Sequence, residues 1–238
     1  MKILAFDSAA KIATVAVTED SELLALYSIN NGLTQSELLL PMAENMLASL
    51  RLGISDIDLL ATSVGPGSFT GVRIGTALIK GLAFGKDIPC VGVSALEELA
   101  ENLSGLDGII VPAMDARRSQ VYNAIFRCKG GSLTRLTEDR AISVSELGEE
   151  LKAYEGEKIY VSGDGYDGVK RALDSLGVKV EDTPPLLISE NAYSVARIAH
   201  RMYLRGEYTN DLGINPTYLR MPQAERERLE RIKESEGK

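Results

Sequence analysis

The predicted strands and helices come twice in the same order, and this repetition constrains the fold of the chain more than any single motif does. In the first half, three strands precede a helix, and alternating strands and helices follow. The predicted elements are strands at 3–6, 13–17 and 23–29, a helix at 34–52, a strand at 59–64, a helix at 71–85, a strand at 91–93 and a helix at 94–103.

The same order begins again after a turn at 104–108. Its elements are strands at 109–114, 120–127 and 133–142, a helix at 143–154, a strand at 158–162 and a helix at 166–176. A further helix is predicted at 189–205. The charged tail at 222–238 has Glu and Arg at helical spacing and is predicted to be a solvated, fraying helix. The repeat is one of element order only, and the residues of the two halves do not visibly match.

Two units of the order strand-strand-strand-helix-strand-helix are typical of the α/β actin-like (ASKHA) fold. In that fold each lobe carries a mixed sheet, and a nucleotide lies in the cleft between the lobes. We therefore expect an N-terminal lobe at 1–103, a C-terminal lobe at 104–221 and a tail at 222–238. Two unrelated ferredoxin-like lobes are the alternative.

The charge and the rare residue types exclude several classes of function. The formal net charge of −8 argues against a general nucleic-acid-binding surface, so any RNA is expected to be held by a partner. The single histidine, His200, leaves no paired His for a metallopeptidase zinc site and no Ser/His/Asp set. No metal is expected. Cys90 and Cys128 sit beside apolar runs, as buried reduced thiols do.

The start of the chain has an uninterrupted run of four apolar residues before Asp7, which is too short for the hydrophobic region of a signal peptide. No apolar run approaches the roughly 20 residues that a membrane-spanning helix needs. A cytoplasmic location without membrane attachment is therefore expected.

The predicted strand at 59–64 is followed directly by a glycine-rich segment, GPGSFTGVRIG, at 65–75. Gly65 and Gly67 permit unusual backbone angles and close approach, and free amides at the start of the next helix can hold an anion. The segment is not a Walker A loop, since no Gly-Lys-Ser/Thr follows, and Thr70 replaces the third glycine of a dinucleotide fingerprint. A phosphate-adjacent or partner-facing turn and a plain strand-to-helix corner both remain open.

The helix after this segment carries Gly71, Gly75, Gly81 and Gly85, each costing roughly 0.5–1 kcal/mol relative to Ala. Pairs one turn apart form flat patches for another backbone, either from the chain's own sheet or from a second chain. The preceding helix has an apolar arc wider than one core-facing stripe, and its methionines suit an adaptable interface. Packing between the sheet and a neighbour in the same chain is the alternative. The arc comprises Leu38, Leu39, Leu40, Met42, Ala43, Met46, Leu47 and Leu50.

Four segments are similar to motifs of one known family. They are ILAFDSAA at 3–10, GPGSFTGVRIG at 65–75, MDARR at 114–118 with Val121 and Tyr122, and PTYLR at 216–220. On these segments nearly the whole chain resembles the TsaB (YeaZ) family. Its members are non-catalytic subunits of the bacterial machinery that places threonylcarbamoyl on the adenosine next to certain tRNA anticodons. One departure is Gln35-Ser36-Glu37, where many relatives have His-Ser-Glu.

The resemblance implies an actin-like fold and a set of partners. The chain would bind and activate the catalytic subunit TsaD, work with the ATPase TsaE, contact tRNA only through the complex, and form a homodimer in isolation. It would have no cofactor of its own, and ATP or ADP at the joint with its partner is the candidate nucleotide. The implied docking residues are Leu38, Leu39, Met42 and Met46 on the first helix and Val72, Arg73, Thr76 and Lys80 on the second.

An actin-like-fold ATPase or small-molecule kinase is the alternative function. It would need acidic residues from both lobes around a metal-bound nucleotide. The candidate contacts are Asp7, Ser8, Gly65 and Gly67. In the second half, however, Asp115 precedes Ala116, Arg117 and Arg118, where a phosphate-binding turn requires glycine. An accessory subunit without a complete nucleotide or metal site is therefore expected. Gly-Asp-Gly at 163–165 is interpreted as a strand-to-helix loop, with a turn near an adenosine as the alternative.

Overall fold

The computed structural model of this chain describes residues 1–220, and its first half forms a five-stranded mixed sheet. The strands are β1 (Lys2–Asp7), β2 (Ala13–Glu19), β3 (Glu22–Ile29), β4 (Leu59–Gly65) and β5 (Cys90–Ser94). Their spatial order is β3-β2-β1-β4-β5, with antiparallel pairing from β1 to β3 and parallel pairing from β1 to β5. β1 is buried on both faces, which explains its continuous apolar sequence.

Helices cover both faces of this sheet. Leu4 and Phe6 of β1 pack with α1 (Gln35–Leu50) and α2 (Phe69–Ala83), whereas Ile3 and Ala5 point to the opposite face. Helix α1 begins at the predicted capping box, in which the amide of Thr34 donates to the carboxylate of Glu37 at 3.0 Å. The first helix to follow β5 is α3 (Ala95–Glu101), whose Leu96 and Leu99 belong to a cluster shared with the second sheet.

The second sheet is built around a central strand, β6 (Gly108–Asp115). β6 pairs antiparallel with two short strands in line and parallel with a strand on its other side. The remaining strands are β7 (Gln120–Asn123), β8 (Phe126–Lys129), β9 (Ser132–Arg135), β10 (Arg140–Ser143) and β11 (Ile159–Ser162). The helices on this sheet are α4 (Val144–Leu151) and α5 (Tyr166–Ser175).

Two predicted strands of the second half are each divided in the structure. The strand predicted at 120–127 is interrupted between β7 and β8, and that predicted at 133–142 between β9 and β10. The interruptions face each other: the carbonyl of Ile125 accepts from the amides of Leu136 and Thr137 at 2.7 and 3.3 Å, respectively. The side chain of Thr137 accepts from the Ile125 amide at 2.8 Å. These bonds replace the regular ladder, so the prediction of unbroken strands is wrong.

The last helices return the chain to the first sheet. The short α6 (Pro185–Ile188), which the sequence did not predict, leads into α7 (Ala192–Leu204). α7 packs on the face of the first sheet that carries Ile3 and Ala5. Glu101 of α3 is buried and forms ion pairs with Arg197 and Arg201 of α7 at 3.0 and 2.8 Å. The sequence ranges of the two lobes remain a prediction, because α7 falls in the second range but packs on the first sheet.

The actin-like α/β fold predicted from the order of elements is confirmed. Three antiparallel strands before the first helix differ from a ferredoxin-like lobe, in which helices alternate with strands earlier. Cys90 and Cys128 are free and buried, as predicted. Among the helices at residues 1–220, none has the length and apolar character that crossing a bilayer requires. The helix predicted at 222–238 lies outside the described residues.

Candidate functional site

The glycine-rich corner between β4 and α2 is filled by the chain's own backbone. Gly65 and Gly67 have φ of +111° and +156°, which favour glycine. A methyl group at Gly67 would overlap the carbonyl oxygen of Ala9, and one at Gly65 would lie 2.6 Å from the carbonyl oxygen of Thr217. The amide of Ser68 donates to the Ala9 carbonyl at 2.7 Å. The turn after β1 therefore occupies the space in which a phosphate would approach the glycines.

The first two glycines of α2 serve the same internal packing. A methyl group at Gly71 would overlap the carbonyl oxygen of Ser8, and one at Gly75 would lie 2.6 Å from the Ser8 hydroxyl and 2.7 Å from that of Thr62. The Ser8 hydroxyl donates to the Gly71 carbonyl at 2.8 Å. Around Gly81 and Gly85, by contrast, a methyl group would meet nothing within 4 Å. The flat patch at 71–75 thus contacts the chain itself, whereas the patch at 81–85 is open.

Asp7, the acid that a nucleotide site would need, lies in a buried cluster of carboxyl groups. Asp7 and Glu98 are fully buried and Glu190 is 6% exposed. The Ser63 hydroxyl donates to one oxygen of Glu98, and the Asn191 amide donates to the other at 2.7 Å. The Ala9 amide donates to Oδ1 of Asp7 at 3.2 Å. Oδ2 of Asp7 and Oε1 of Glu190 have no hydrogen-bond partner among residues 1–220.

Burial favours the neutral form of all three acids. It raises the pKa of Asp7, and hydrogen bonds from Ser63 and Glu98 oppose this only in part. Burial, together with the charge of Asp7, raises the pKa of Glu98 well above its ordinary value. The same two causes raise the pKa of Glu190 to about 8. Within residues 1–220, no group of three His, Cys, Asp or Glu side chains is placed to hold a metal ion.

A cleft of about 730 Å³ lies between the two lobes. Its walls are the turn after β1, the starts of α1 and α2, and the turn between β6 and β7. Asp115 and Asp164 line it, and the Asp115 amide donates to Asp164 at 2.8 Å, but Asp7 does not reach it. Arg117, Arg118 and Ser119 have φ of +63°, +55° and +57° in the β6–β7 turn.

These residues do not fit a nucleotide held by this chain in the manner of an ATPase. The glycine corner has no room for phosphate, and Asp7 is enclosed with two other acids instead of facing the cleft. Asp7, Ser8, Gly65 and Gly67 do come together, as the sequence predicts, but they do so as internal packing. Gly163 and Gly165 are likewise packed against the chain's own backbone in the second lobe, because methyl groups there would overlap or crowd the carbonyl oxygen of Ala113.

The structure divides the eight predicted docking residues into two groups. Five are at most 4% exposed and pack within the chain: Leu39, Met42, Met46, Val72 and Thr76. Leu38 and Lys80 are partly accessible and Arg73 is exposed. The buried five would need the helices to repack before they could contact a second chain. The docking assignment as a whole stays a prediction.

An apolar surface that the sequence did not single out lies on the outer sides of α1 and α2. Leu40 is 42% exposed and Phe84, just after α2, is 74% exposed. Ala77 and Gly81 are exposed one turn apart on α2, between the partly buried Ile74 and Leu78. We call the surface formed by Leu40, Arg73, Ala77, Gly81 and Phe84 the outer helix face. Its small residues permit close approach of another helix.

Glu98 and Glu190 were also missed by reasoning from the sequence. Glu98 lies in the segment Leu96-Glu97-Glu98-Leu99, in which either acid can be the exposed one. Glu190 directly precedes Asn191, the N-cap of α7, and an acid before a helix normally faces solvent. No local pattern distinguishes these residues from ordinary surface glutamates.

Curated relatives match the chain almost from end to end. The "tRNA threonylcarbamoyladenosine biosynthesis protein TsaB" of Bacillus subtilis (strain 168) is 31% identical over 232 residues, covering 97% of this chain and 99% of the relative. The protein of the same name in Escherichia coli (strain K12) is 31% identical over 223 residues, covering 92% and 95%. The chain belongs to the TsaB family.

Two further comparisons concern a related family and the fold. Residues 34–225 match the family model described as "TsaD: tRNA N6-adenosine threonylcarbamoyltransferase", so the chain is also related to that family. The structure titled "YeaZ from Pseudomonas aeruginosa" superposes with a TM-score of 0.76, covering 92% of this chain and 99% of that chain. Its sequence identity of 24% makes this a likeness of fold alone.

Proposed function

We propose that this chain takes part in making threonylcarbamoyladenosine in tRNA, as a non-catalytic subunit that binds and activates a catalytic subunit of the TsaD type. The observation that carries this proposal is the end-to-end similarity to relatives named for threonylcarbamoyladenosine biosynthesis. The reaction would take place on the partner, at the adenosine next to the anticodon, with the ATPase TsaE as a further partner. The net charge of −8 supports an indirect contact with tRNA.

The outer helix face supports a docking role for α1 and α2. Exposed apolar residues on neighbouring helices often mark an interaction site, and here Leu40 of α1 and Phe84, just after α2, are exposed along with Ala77 and Gly81 of α2. Arg73 adds a cation at the rim. Leu38 and Lys80 remain in the proposed docking set because they are partly accessible.

The enclosed glycine corner and the buried Asp7 support a non-catalytic role in preference to a solo ATPase or kinase. A purified chain is expected to turn over ATP far more slowly than ordinary enzymes, which reach about 1 per second or more. ATP or ADP at the joint with the partner remains part of the proposal. Turnover at an ordinary enzyme rate by the chain alone would favour the ATPase alternative.

Co-purification with a TsaD-type partner tests the docking surface. Ala77→Arg is expected to reduce recovery of the complex at least tenfold, because a large charged side chain would separate the two helix surfaces. Ala77 is exposed, so the melting temperature should stay within about 2 °C of wild type. Ala153→Arg, at an exposed position of the second lobe, is the matched control and should leave the complex intact. Equal recovery from both variants would contradict the assigned surface.

A further inference from the structure

The segment after α7 runs along the first lobe and ends on the second. We call residues 209–220 the C-terminal strap. Thr209 and Cys90 exchange two backbone hydrogen bonds, of 2.8 and 2.9 Å, at the edge of β5. Ile214 is 3% exposed and packs in the core of the first lobe. The Thr217 amide then donates to the carbonyl of Val64 at 2.7 Å, which brings the strap to the glycine-rich corner.

Tyr218 of the strap contacts the first turns of α2. Its ring stacks on Phe69 with centroids 4.9 Å apart and an interplanar angle of 20°. Nε of Arg73 donates to the Tyr218 hydroxyl at 2.7 Å, and the guanidinium lies 5.4 Å from the ring centroid. Tyr218 therefore contacts two residues one turn apart, of which Arg73 belongs to the outer helix face.

Arg220 connects the other end of the strap to the second lobe through hydrogen bonds and a ring contact. Its guanidinium donates to the Ala116 carbonyl at 2.9 Å and to the side chain of Gln120, and it lies 5.7 Å from the ring centroid of Tyr122. These partners flank the turn at 117–119, whose three non-glycine residues have positive φ. Such residues cost roughly 1–2 kcal/mol each and need support from their surroundings. Between the two anchors, Leu219 packs against the cluster shared by both lobes.

We propose that the C-terminal strap is a clasp across the mouth of the cleft, with Tyr218 and Arg220 as positioning residues. Phe69, Ala116 and Tyr122 line the cleft on opposite walls, and the strap contacts all three. The clasp fixes the start of α2 relative to the β6–β7 turn. It thereby presents Arg73 and the outer helix face in one orientation to the partner, a step that rests on the proposed function.

Hydrogen exchange of the isolated full chain, at a concentration where it is monomeric, tests the clasp without any partner. Tyr218→Ala is expected to speed amide exchange at 69–73 at least tenfold, and Arg220→Ala to do so at 116–122. The controls are Tyr208→Ala, which loses a tilted ring contact with Tyr203 at 4.9 Å between centroids, and Arg205→Ala, which loses an ion pair with Glu207 at 2.7 Å. Unchanged exchange in the strap variants, or the same change in the controls, would overturn the clasp.

Conservative variants keep the test decisive if an alanine variant does not fold. Tyr218→Phe keeps the stack on Phe69 and removes the acceptor for Arg73, so exchange should rise near residue 73 and stay near wild type at 69. Arg220→Lys keeps a charge but loses the two-armed contact, so exchange should rise at 116–122. Wild-type exchange in both conservative variants would overturn the assigned roles.

Affinity for the TsaD-type partner tests the positioning step separately. Tyr218→Ala and Arg220→Ala are expected to weaken Kd by about 5–10-fold, and the Tyr208 and Arg205 controls to stay within about twofold. Faster exchange with an unchanged Kd would overturn the positioning step and leave the clasp supported. A wild-type chain that does not bind the partner would contradict the proposed function, and the exchange result would still decide the clasp.

Discussion

The three buried acids Asp7, Glu98 and Glu190 make the stability of the fold sensitive to pH. Asp7 and Asp164 both act on Glu190 through their charge, and Asp7 also acts on Glu98. Proteins tolerate such clusters mainly by keeping the acids protonated. The stability of this fold is therefore linked to protons held by buried carboxyl groups.

Glu190→Gln is expected to stabilise the chain at pH 8. The pKa of Glu190 is raised from 4.5 to about 8, so its contribution to stability is complete below about pH 4.5 and is lost as the pH rises through 8. Glutamine is neutral throughout this range. Urea unfolding at pH 5 and pH 8 should show a smaller fall in unfolding free energy for the variant, with a gain of roughly 1–3 kcal/mol at pH 8.

Glu155→Gln, at an exposed position of the second lobe, is the control for this variant. It should follow the wild-type pH dependence. An unfolding free energy whose pH dependence is the same for wild type and Glu190→Gln would show that Glu190 titrates normally in the fold.

For single residues, the sequence predicts which backbone segments meet at the candidate site, but it does not predict which acidic side chains are buried there. Asp7, Ser8, Gly65 and Gly67 are adjacent in space because they end neighbouring parallel strands, which the motif spacing predicts. Glu98 and Glu190 join Asp7 only because α3 and the start of α7 meet there. Contacts of this kind depend on the packing of distant elements, and no local residue pattern encodes them.

Helix α2 contains glycines with opposite roles, and alanine substitution should separate them. Gly81→Ala is expected to raise the unfolding free energy by about 0.5–1 kcal/mol, because the added methyl group meets open space and alanine favours a helix. Gly71→Ala should lower it by about 1–3 kcal/mol, because the methyl group would overlap the Ser8 carbonyl. Urea unfolding measures both, and equal effects would contradict the assigned packing of α2.

The sequence predicts where α1 and α2 lie but not which of their residues face outward. Leu39, Met42 and Met46 belong to an arc wide enough to suggest two apolar neighbours. The periodicity places Leu40 beside them but does not say which side of the arc meets the sheet. That direction is set by the position of the whole helix on β2 and β3. The docking prediction therefore included several residues that the structure buries.

The whole molecule is expected to form a homodimer in isolation, because an uncovered apolar surface tends to pair with another. Light scattering should show the average mass rising from one chain towards two as concentration increases. Phe84→Glu should shift this rise to higher concentration, since it places a charge on the outer helix face. Leu186→Glu, at a residue 90% exposed on the other lobe, is the control. A mass of one chain at all concentrations would contradict the dimer.

The order of strands and helices was sufficient to predict the two-lobed fold, because few architectures accept three strands before the first helix twice. The return of α7 to the first sheet was not predictable in this way. Its amphipathic pattern fits either sheet, and in the structure it packs on the first, where the buried Glu101 pairs with the partly exposed Arg197 and Arg201. The route of the strap was hidden for a related reason, since its contacts involve single residues without periodicity.

The bridge between Thr209 and Cys90 is also expected to hinder edge-to-edge assembly of the protein. β5 ends the first sheet, and an uncovered edge strand can recruit a strand from another molecule. The strap occupies part of that edge with its own backbone bonds. Proteolysis between α7 and Thr209 would release this cover, so a nicked chain is expected to aggregate sooner than the intact one, even while both sheets remain folded.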